Sequence, residues 1–433
     1  MINTRNRLWI GLLIIYGITV TLLPVVHAEN KEITGNKIVL KNKVSKDLKI
    51  LKIRLTWKLV PDAVMYDLVI TKRKEINPSE IVFVQHKIYT NGCELDTSAL
   101  RVKEDDLYWQ VQALDINGKT IAKITKPKPL IDVEINTTSP LTTTEFDKMD
   151  YAPLYPVYAW IPYLNASEYE VQVFYDKDDN PFTPDTLLNT YFLKDDDRTY
   201  YDDFAYRDEG TYWWRVRAKN KKDASFSNWS TRTYFYVTHK NIQVAAFGDS
   251  ITQGGGAVST PPSYIMYDWE TYAGLPVLNL GFSGDTIEAM NRRFEADVLP
   301  FKPKILVIMG GVNNIREGSS AKQVIDGLEM LRAKCQSHQI LPIFLTVTPI
   351  NPDAMKKVYG LIATYSWKDE QIKINAWIMN QPNYVDVATP LTDTCGWLSP
   401  KLTTDGLHPD KIGKETIGKM VGTYIKEKTR TLR

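Results

Sequence analysis

The chain has 433 residues, with 53 lysines and arginines against 51 aspartates and glutamates. That near-balance excludes the broad basic surface of a nucleic-acid-binding domain. A hydrophobic share of 43% and an aromatic share of 11% exclude an intrinsically disordered chain, and the length leaves room for about two to four domains.

The N-terminus carries Arg5 and Arg7, then an apolar run from Leu8 to Val26 that ends in Val26-His27-Ala28. A basic start, an apolar stretch and a small-x-small end describe a secretory signal peptide over residues 1–28. The run is also long enough to span a bilayer if it is not cleaved. Gly11, Gly17 and Pro24 interrupt it, which favours cleavage. The expected location is secreted or extracytoplasmic, in the periplasm or at the cell surface; the alternative is anchoring by the uncleaved segment. Cys93, Cys335 and Cys395 show no C-x-x-C spacing, so zinc and thioredoxin-like readings fail. Pairing of Cys335 with Cys395 is left open.

A repeat follows. Its first copy holds Leu55-Thr56-Trp57, then Pro61 to Ile70, then Leu107-Tyr108-Trp109-Gln110-Val111-Gln112-Ala113. The second holds Tyr158-Ala159-Trp160, then Leu164 to Val173, then Thr211 to Ala218. Alternations such as Tyr169/Val171/Val173 have the period of half-buried strands. Turn-rich stretches at Asn91-Gly92, Asn117-Gly118 and 176–180 separate the runs. The pattern predicts two antiparallel β-sandwiches over 38–135 and 140–238, with Pro127-Lys128-Pro129 as a stiff linker. These words, with Phe226-Ser227-Asn228-Trp229-Ser230, resemble fibronectin type III domains, a resemblance that implies an immunoglobulin-like fold with Trp57 and Trp160 in the two cores.

From Asn241 the period changes. Apolar strand runs at 242–247, 277–280, 305–309, 343–347 and 384–387 alternate with helical stretches at 286–294, 321–335, 371–379 and 411–426. Alternating strands and helices predict a parallel sheet with helices on both faces, over 241–433. In such sheets the site forms at the carboxyl ends of the strands.

Four segments lie at those ends. Phe247-Gly248-Asp249-Ser250-Ile251 puts a serine on the turn that leaves the first strand. Asn279-Leu280-Gly281-Phe282-Ser283-Gly284-Asp285 follows the second and offers backbone N–H groups at its glycines. Gly310-Gly311-Val312-Asn313-Asn314 follows the third, and an asparagine there can donate to a developing oxyanion. Asp405-Gly406-Leu407-His408 precedes the last helix; an aspartate near a histidine orients the ring and sets its tautomer. Each segment alone also fits an ordinary cap or turn.

In this order the four segments resemble the blocks of the SGNH/GDSL hydrolase superfamily, over about 241–428. The resemblance implies an α/β three-layer, flavodoxin-like domain. It implies Ser250 as nucleophile, His408 as general base and then acid, and Asp405 as the residue that orients His408. The implied oxyanion hole is the N–H of Ser250, the N–H of Gly284 and the side-chain amide of Asn313. Family members often have Gly-x-Asn-Asp in the third block, whereas Gly311-Val312-Asn313-Asn314 ends in asparagine. Asp249 is expected to brace the loop. The implied chemistry, hydrolysis of a carboxylic ester, calls on no metal and no organic cofactor.

The expected substrate is an O-acyl ester, foremost O-acetyl, on a carbohydrate or cell-surface polymer such as an acylated polysaccharide or peptidoglycan. Tyr264, Tyr267 and Trp269, in the loop after Ser250, are candidate sugar-stacking residues; their alternative is packing at the domain edge. A lysophospholipase or short-chain lipase-like esterase is the nearest alternative, with 354–367 as a possible cover. A non-catalytic surface-binding protein is the alternative from another class. Nothing in the sequence points to nucleic acid.

Overall fold

The computed structural model describes residues 31–34, 37–40, 52–74, 77–100, 107–123, 126–130, 133–135, 137–176, 184–194, 197–258 and 264–431. The signal-peptide segment 1–28 lies outside the described residues. Among the described residues no helix is long and apolar enough to cross a membrane.

The first β-rich unit is built from two antiparallel sheets. One runs in the order 31–34, 37–40, 134–135, 52–56, 92–96; the other in the order 81–88, 65–71, 108–114, 120–123. Ile53, Leu55 and Leu95 from one sheet and Leu68, Ile70 and Val111 from the other share a core. The second unit has a sheet ordered 141–142, 157–161, 199–201 and a sheet ordered 186–194, 166–176, 210–220, 233–237.

The repeat in the sequence reappears as a repeated contact. Trp57 packs edge-on against Tyr66 at 5.5 Å, and Trp160 packs against Tyr169 at 5.1 Å. In both units the tyrosine hydroxyl accepts a backbone N–H from six residues earlier, Val60 in one and Tyr163 in the other. A tyrosine buried by its ring needs a partner for its hydroxyl, and the same local turn supplies it twice.

One sequence expectation changes, and one open point closes. Lys128–Pro129 is a strand paired with 108–114, so Pro127-Lys128-Pro129 closes the edge of the first unit and is not a linker. Proline suits such an edge because it has no N–H to offer a further strand. Cys335 and Cys395 are both free: Cys335 is buried on a helix face, while Cys395 sits in an exposed turn.

The C-terminal part is a five-stranded parallel sheet in the order 278–279, 244–248, 305–309, 341–345, 384–385. Val244–Gly248 and Ile305–Met309 are buried along their whole length, as strands covered on both faces must be. The helices are α1 (Ser250–Gln253), α2 (Ile287–Asp297), α3 (Val312–Glu317), α4 (Ala321–Ser337), α5 (Pro352–Tyr359), α6 (Trp367–Met379) and α7 (Lys411–Thr431). α2, α4 and α6 pack in succession, while α7 packs on the segment 269–272. Strand order reverses at 244–248, whose neighbours are the second and third strands of the sheet in chain order. Right-handed crossovers then send the connections to opposite faces and leave a crevice at that reversal.

Candidate active site

The crevice is lined by the loops that follow the first three strands. Asp249 caps α1 by accepting the Ile251 N–H at 2.9 Å, and Ser250 is the first helical residue, so its own N–H has no partner within the helix. Burial, partly offset by that bond, raises the Asp249 carboxyl to about 6. Gly248 admits no larger residue, because a Cβ there would lie 2.3 Å from the Met309 carbonyl. The strand thus leaves the sheet in a turn tight enough to present Ser250 at its rim.

Ser250 Oγ lies 2.8 Å from His408 Nε2, and His408 Nδ1 lies 2.8 Å from Asp405 Oδ2. Asp405 is fully buried, yet it is surrounded by donors: the Leu407 and His408 backbone N–H groups reach Oδ1 at 2.8 Å each, and the Tyr359 hydroxyl reaches Oδ2 at 2.8 Å. Burial pushes its carboxyl up, but the His408 charge and these bonds outweigh it and hold Asp405 at about 2. A carboxylate that stays ionised accepts from Nδ1–H, which leaves Nε2 free to take the Ser250 proton. Thr403 closes the loop, donating to the His408 carbonyl at 2.8 Å and accepting the Gly406 N–H at 2.9 Å.

Asn313 is tied to the loop that carries Gly284. Asn313 Nδ2 donates to the Asp285 carbonyl at 2.9 Å, one residue past Gly284, and keeps its second amide hydrogen for another acceptor. Gly284 has φ of +83° and open space where a Cβ would stand. The left-handed backbone calls for glycine there. Asn314, the neighbour of Asn313, is turned away: it accepts from Ile287 N–H and donates to Glu288, and so braces the start of α2.

Three expected substrate contacts do not reach the crevice. Tyr264 and Tyr267 are buried in a small cluster with Ala257, against Leu59 of the first β-rich unit. The Tyr267 hydroxyl accepts the Asp62 N–H at 3.1 Å, across that boundary. Trp269 is wholly buried in the main core. These rings are buried, so sugar stacking gives way to packing between units for Tyr264 and Tyr267 and to core packing for Trp269.

Two neighbours of the site carried no signal as motifs. Tyr359 ends α5 more than forty residues before Asp405, and only the fold brings its hydroxyl to that carboxylate. Gly255 lies against the His408 ring, in a run of three glycines that the sequence displays without its purpose.

Residues 246–415 match the model of the GDSL-like Lipase/Acylhydrolase family. The C-terminal part of the chain is a GDSL-like acylhydrolase domain. As such it is a carboxylic ester hydrolase domain. A stretch of 128 residues is 32% identical to YqeF, an uncharacterized lipoprotein of Bacillus subtilis (strain 168), covering 25% of this chain and 49% of that one. The chain therefore spans about half the length of the curated relative it matches. Among solved structures, a GDSL-like lipase from Bacteroides thetaiotaomicron VPI-5482 is 21% identical, with a TM-score of 0.37, over 44% of this chain and 91% of that one. An acetylxylan esterase from Geobacillus stearothermophilus is 20% identical, with a TM-score of 0.34, over 43% of this chain and 94% of that one. In the acylhydrolase domain the family match begins inside the strand that ends at Gly248 and runs past His408 into α7.

Proposed function

We propose that this protein is an extracytoplasmic serine esterase that removes O-acyl groups, foremost O-acetyl, from a carbohydrate or cell-surface polymer. The observation that carries the reading is the unbroken hydrogen-bonded line from Ser250 Oγ through His408 to Asp405. In the proposed cycle His408 Nε2 takes the Ser250 proton as Oγ bonds to the ester carbon and the carbonyl electron pair moves onto oxygen. The N–H groups of Ser250, Gly284 and Asn313 receive that oxyanion. Collapse expels the alcohol, which leaves with the proton from His408. Water then adds to the acyl-enzyme by the same route, and the acid departs as Ser250 regains its proton.

The polymer reading rests on the apolar leader and on the two β-rich units built against the acylhydrolase domain, as spacers or binding modules; that role is an analogy from architecture. One observation favours a second reading, a lysophospholipase or short-chain lipase-like esterase. Beyond α5, whose Tyr359 touches Asp405, Leu361, Ile362 and Tyr365 are exposed, with Ile362 at 78%. Such an apolar rim beside the site suits an acyl chain.

The test is hydrolysis of p-nitrophenyl acetate, butyrate and octanoate by the wild-type protein and Ser250→Ala, together with acetate release from acetylated xylan and peptidoglycan. Activity lost in Ser250→Ala supports the esterase. A preference for acetate over octanoate, with acetate release from polymer, supports the polymer substrate; a preference for octanoate supports the lipid-like one. Equal and negligible rates in both proteins on every ester would overturn the reading.

A further inference from the structure

The loop of the acylhydrolase domain that carries Gly284 is tied to the second β-rich unit by two separate routes. The first runs through Gln253, the last residue of α1 and only 3% exposed. Its side-chain oxygen accepts the Ser283 N–H at 2.6 Å, and its side-chain nitrogen donates to the Tyr155 carbonyl at 3.2 Å. Tyr155 belongs to the second β-rich unit, two residues before its strand 157–161. Its ring also packs on Phe282 at 4.6 Å.

The second route runs through Asp297, at the end of α2 and fully buried. Asp297 accepts from the Tyr155 hydroxyl at 2.6 Å and from Arg207 of the same β-rich unit at 2.6 and 3.0 Å. It also accepts from Arg293 at 3.2 Å. Arg293 spends its other donors on the loop and its root: Asp285 Oδ2 at 2.5 Å, the Leu280 carbonyl at 2.8 Å and the Gly248 carbonyl at 2.9 Å. Every bond of this second route is charge-assisted or buried, the kind that costs most when one partner is removed.

These routes converge on one peptide. The Gly284 N–H points where the Ser283–Gly284 peptide plane points. That plane lies between a Ser283 N–H held by Gln253 and an Asp285 residue held by Arg293 and Asn313. A glycine at positive φ does not hold such a plane by itself, because its backbone has many accessible orientations. An oxyanion donor is effective only when it is aimed before the charge develops.

We infer that the second β-rich unit acts inside the esterase: Tyr155 and Arg207 position the oxyanion loop through Gln253, Asp297 and Arg293. These are positioning residues, and the inference rests on the serine-esterase reading above. It assigns the unit a role in catalysis itself, in addition to any role in holding a polymer.

The test uses the full chain with Gln253→Met, which keeps the side-chain length and removes both hydrogen bonds, and Tyr155→Phe, which keeps the ring on Phe282 and removes the bond to Asp297. For each, kcat and KM for p-nitrophenyl acetate are measured with the melting temperature and the affinity for an alkyl trifluoromethyl ketone, which forms a tetrahedral adduct with a serine. The expected result for Gln253→Met is a loss of about tenfold or more in kcat, KM within about twofold, and a matching loss of ketone affinity, in protein that still melts cooperatively. The same pattern, smaller, is expected for Tyr155→Phe. If Gln253→Met does not fold, Tyr155→Phe decides. Wild-type kcat and ketone affinity in the folded variants would overturn the inference while leaving the esterase intact. A wild-type protein without Ser250-dependent hydrolysis would instead remove the esterase reading, and the inference with it.

Discussion

Gly255 faces the imidazole of His408: a Cβ at position 255 would lie 2.7 Å from His408 Cδ2 and 3.1 Å from Nε2. The Gly255 N–H is bonded to the Ser250 carbonyl at 2.8 Å, so the backbone there is pinned and cannot yield easily. Gly255→Ala is therefore expected to displace the ring and break the bond between Ser250 and His408. The loss of kcat should be on the order of 10²-fold, the scale of an ångström-level misplacement. Steady-state kinetics on p-nitrophenyl acetate, with the melting temperature as a control for folding, checks it.

Asp405→Asn meets a conflict of donors. One face of the Asp405 carboxylate receives two backbone N–H groups and the other faces His408 Nδ1. An asparagine that keeps its oxygen toward the backbone turns its NH₂ toward Nδ1. That favours the tautomer with the proton on Nε2, which cannot accept from Ser250. The expected fall in kcat is on the order of 10³- to 10⁴-fold. Wild-type turnover in a folded Asp405→Asn protein would contradict the role given to Asp405.

Asn313→Ala removes a side-chain donor but not the backbone around it. A fall of about 10²- to 10³-fold in kcat is expected, with KM little changed, because the proposed bond to the oxyanion would matter most in the transition state. Asn314→Ala makes the comparison informative. That side chain braces α2 through Ile287 and Glu288, so its loss should lower the melting temperature more than the turnover.

The depressed carboxyl of Asp405 links activity to acid stability. Its folded value of about 2 lies below the ordinary 3.8, so the unfolded chain binds the proton first as the pH falls. The resulting stability is present above pH 3.8 and is lost as the pH drops toward about 2. It amounts to roughly 2 kcal/mol. Urea unfolding followed from about pH 5 downward should show a steeper loss for the wild type than for Asp405→Asn. Parallel curves would contradict it.

Tyr267→Phe separates packing from substrate contact. The hydroxyl accepts the Asp62 N–H between units, so its loss should cost about 1 kcal/mol of stability. KM for an acetylated oligosaccharide should not move. A raised KM with unchanged stability would return Tyr267 to the substrate.

Much of the acylhydrolase domain was legible because its residues act close to where they stand in the chain. The run at 305–309 reads as a buried strand because apolar residues fill it without a break. Ser250, Gly284, Asn313, Asp405 and His408 could be singled out as candidates because four short segments at strand or helix ends resemble, in their order, the SGNH/GDSL blocks. The aromatic residues after Ser250 are ambiguous in the sequence for the opposite reason. A tyrosine has the same local sequence on a sugar platform as in a packed boundary, and only the arrival of Leu59 and Asp62 from two hundred residues away covers Tyr264 and Tyr267.

The sequence by itself determined the β-rich repeat, the change to alternating strands and helices at Asn241, and the segments that hold the candidate site residues. The first two follow from periodicity and local turn chemistry, which need no distant partner, and the third from the resemblance of four ordered segments to the SGNH/GDSL blocks. Only the tertiary structure decided that Tyr359 donates to Asp405, that Gly255 must make room for His408, and that Gln253 and Asp297 tie the Gly284 loop to Tyr155. Each of these is a contact between residues far apart in the chain or at an angle no local pattern records. Hydrogen bonds act over about 3 Å, and it is the packing of whole units that brings such groups within that distance.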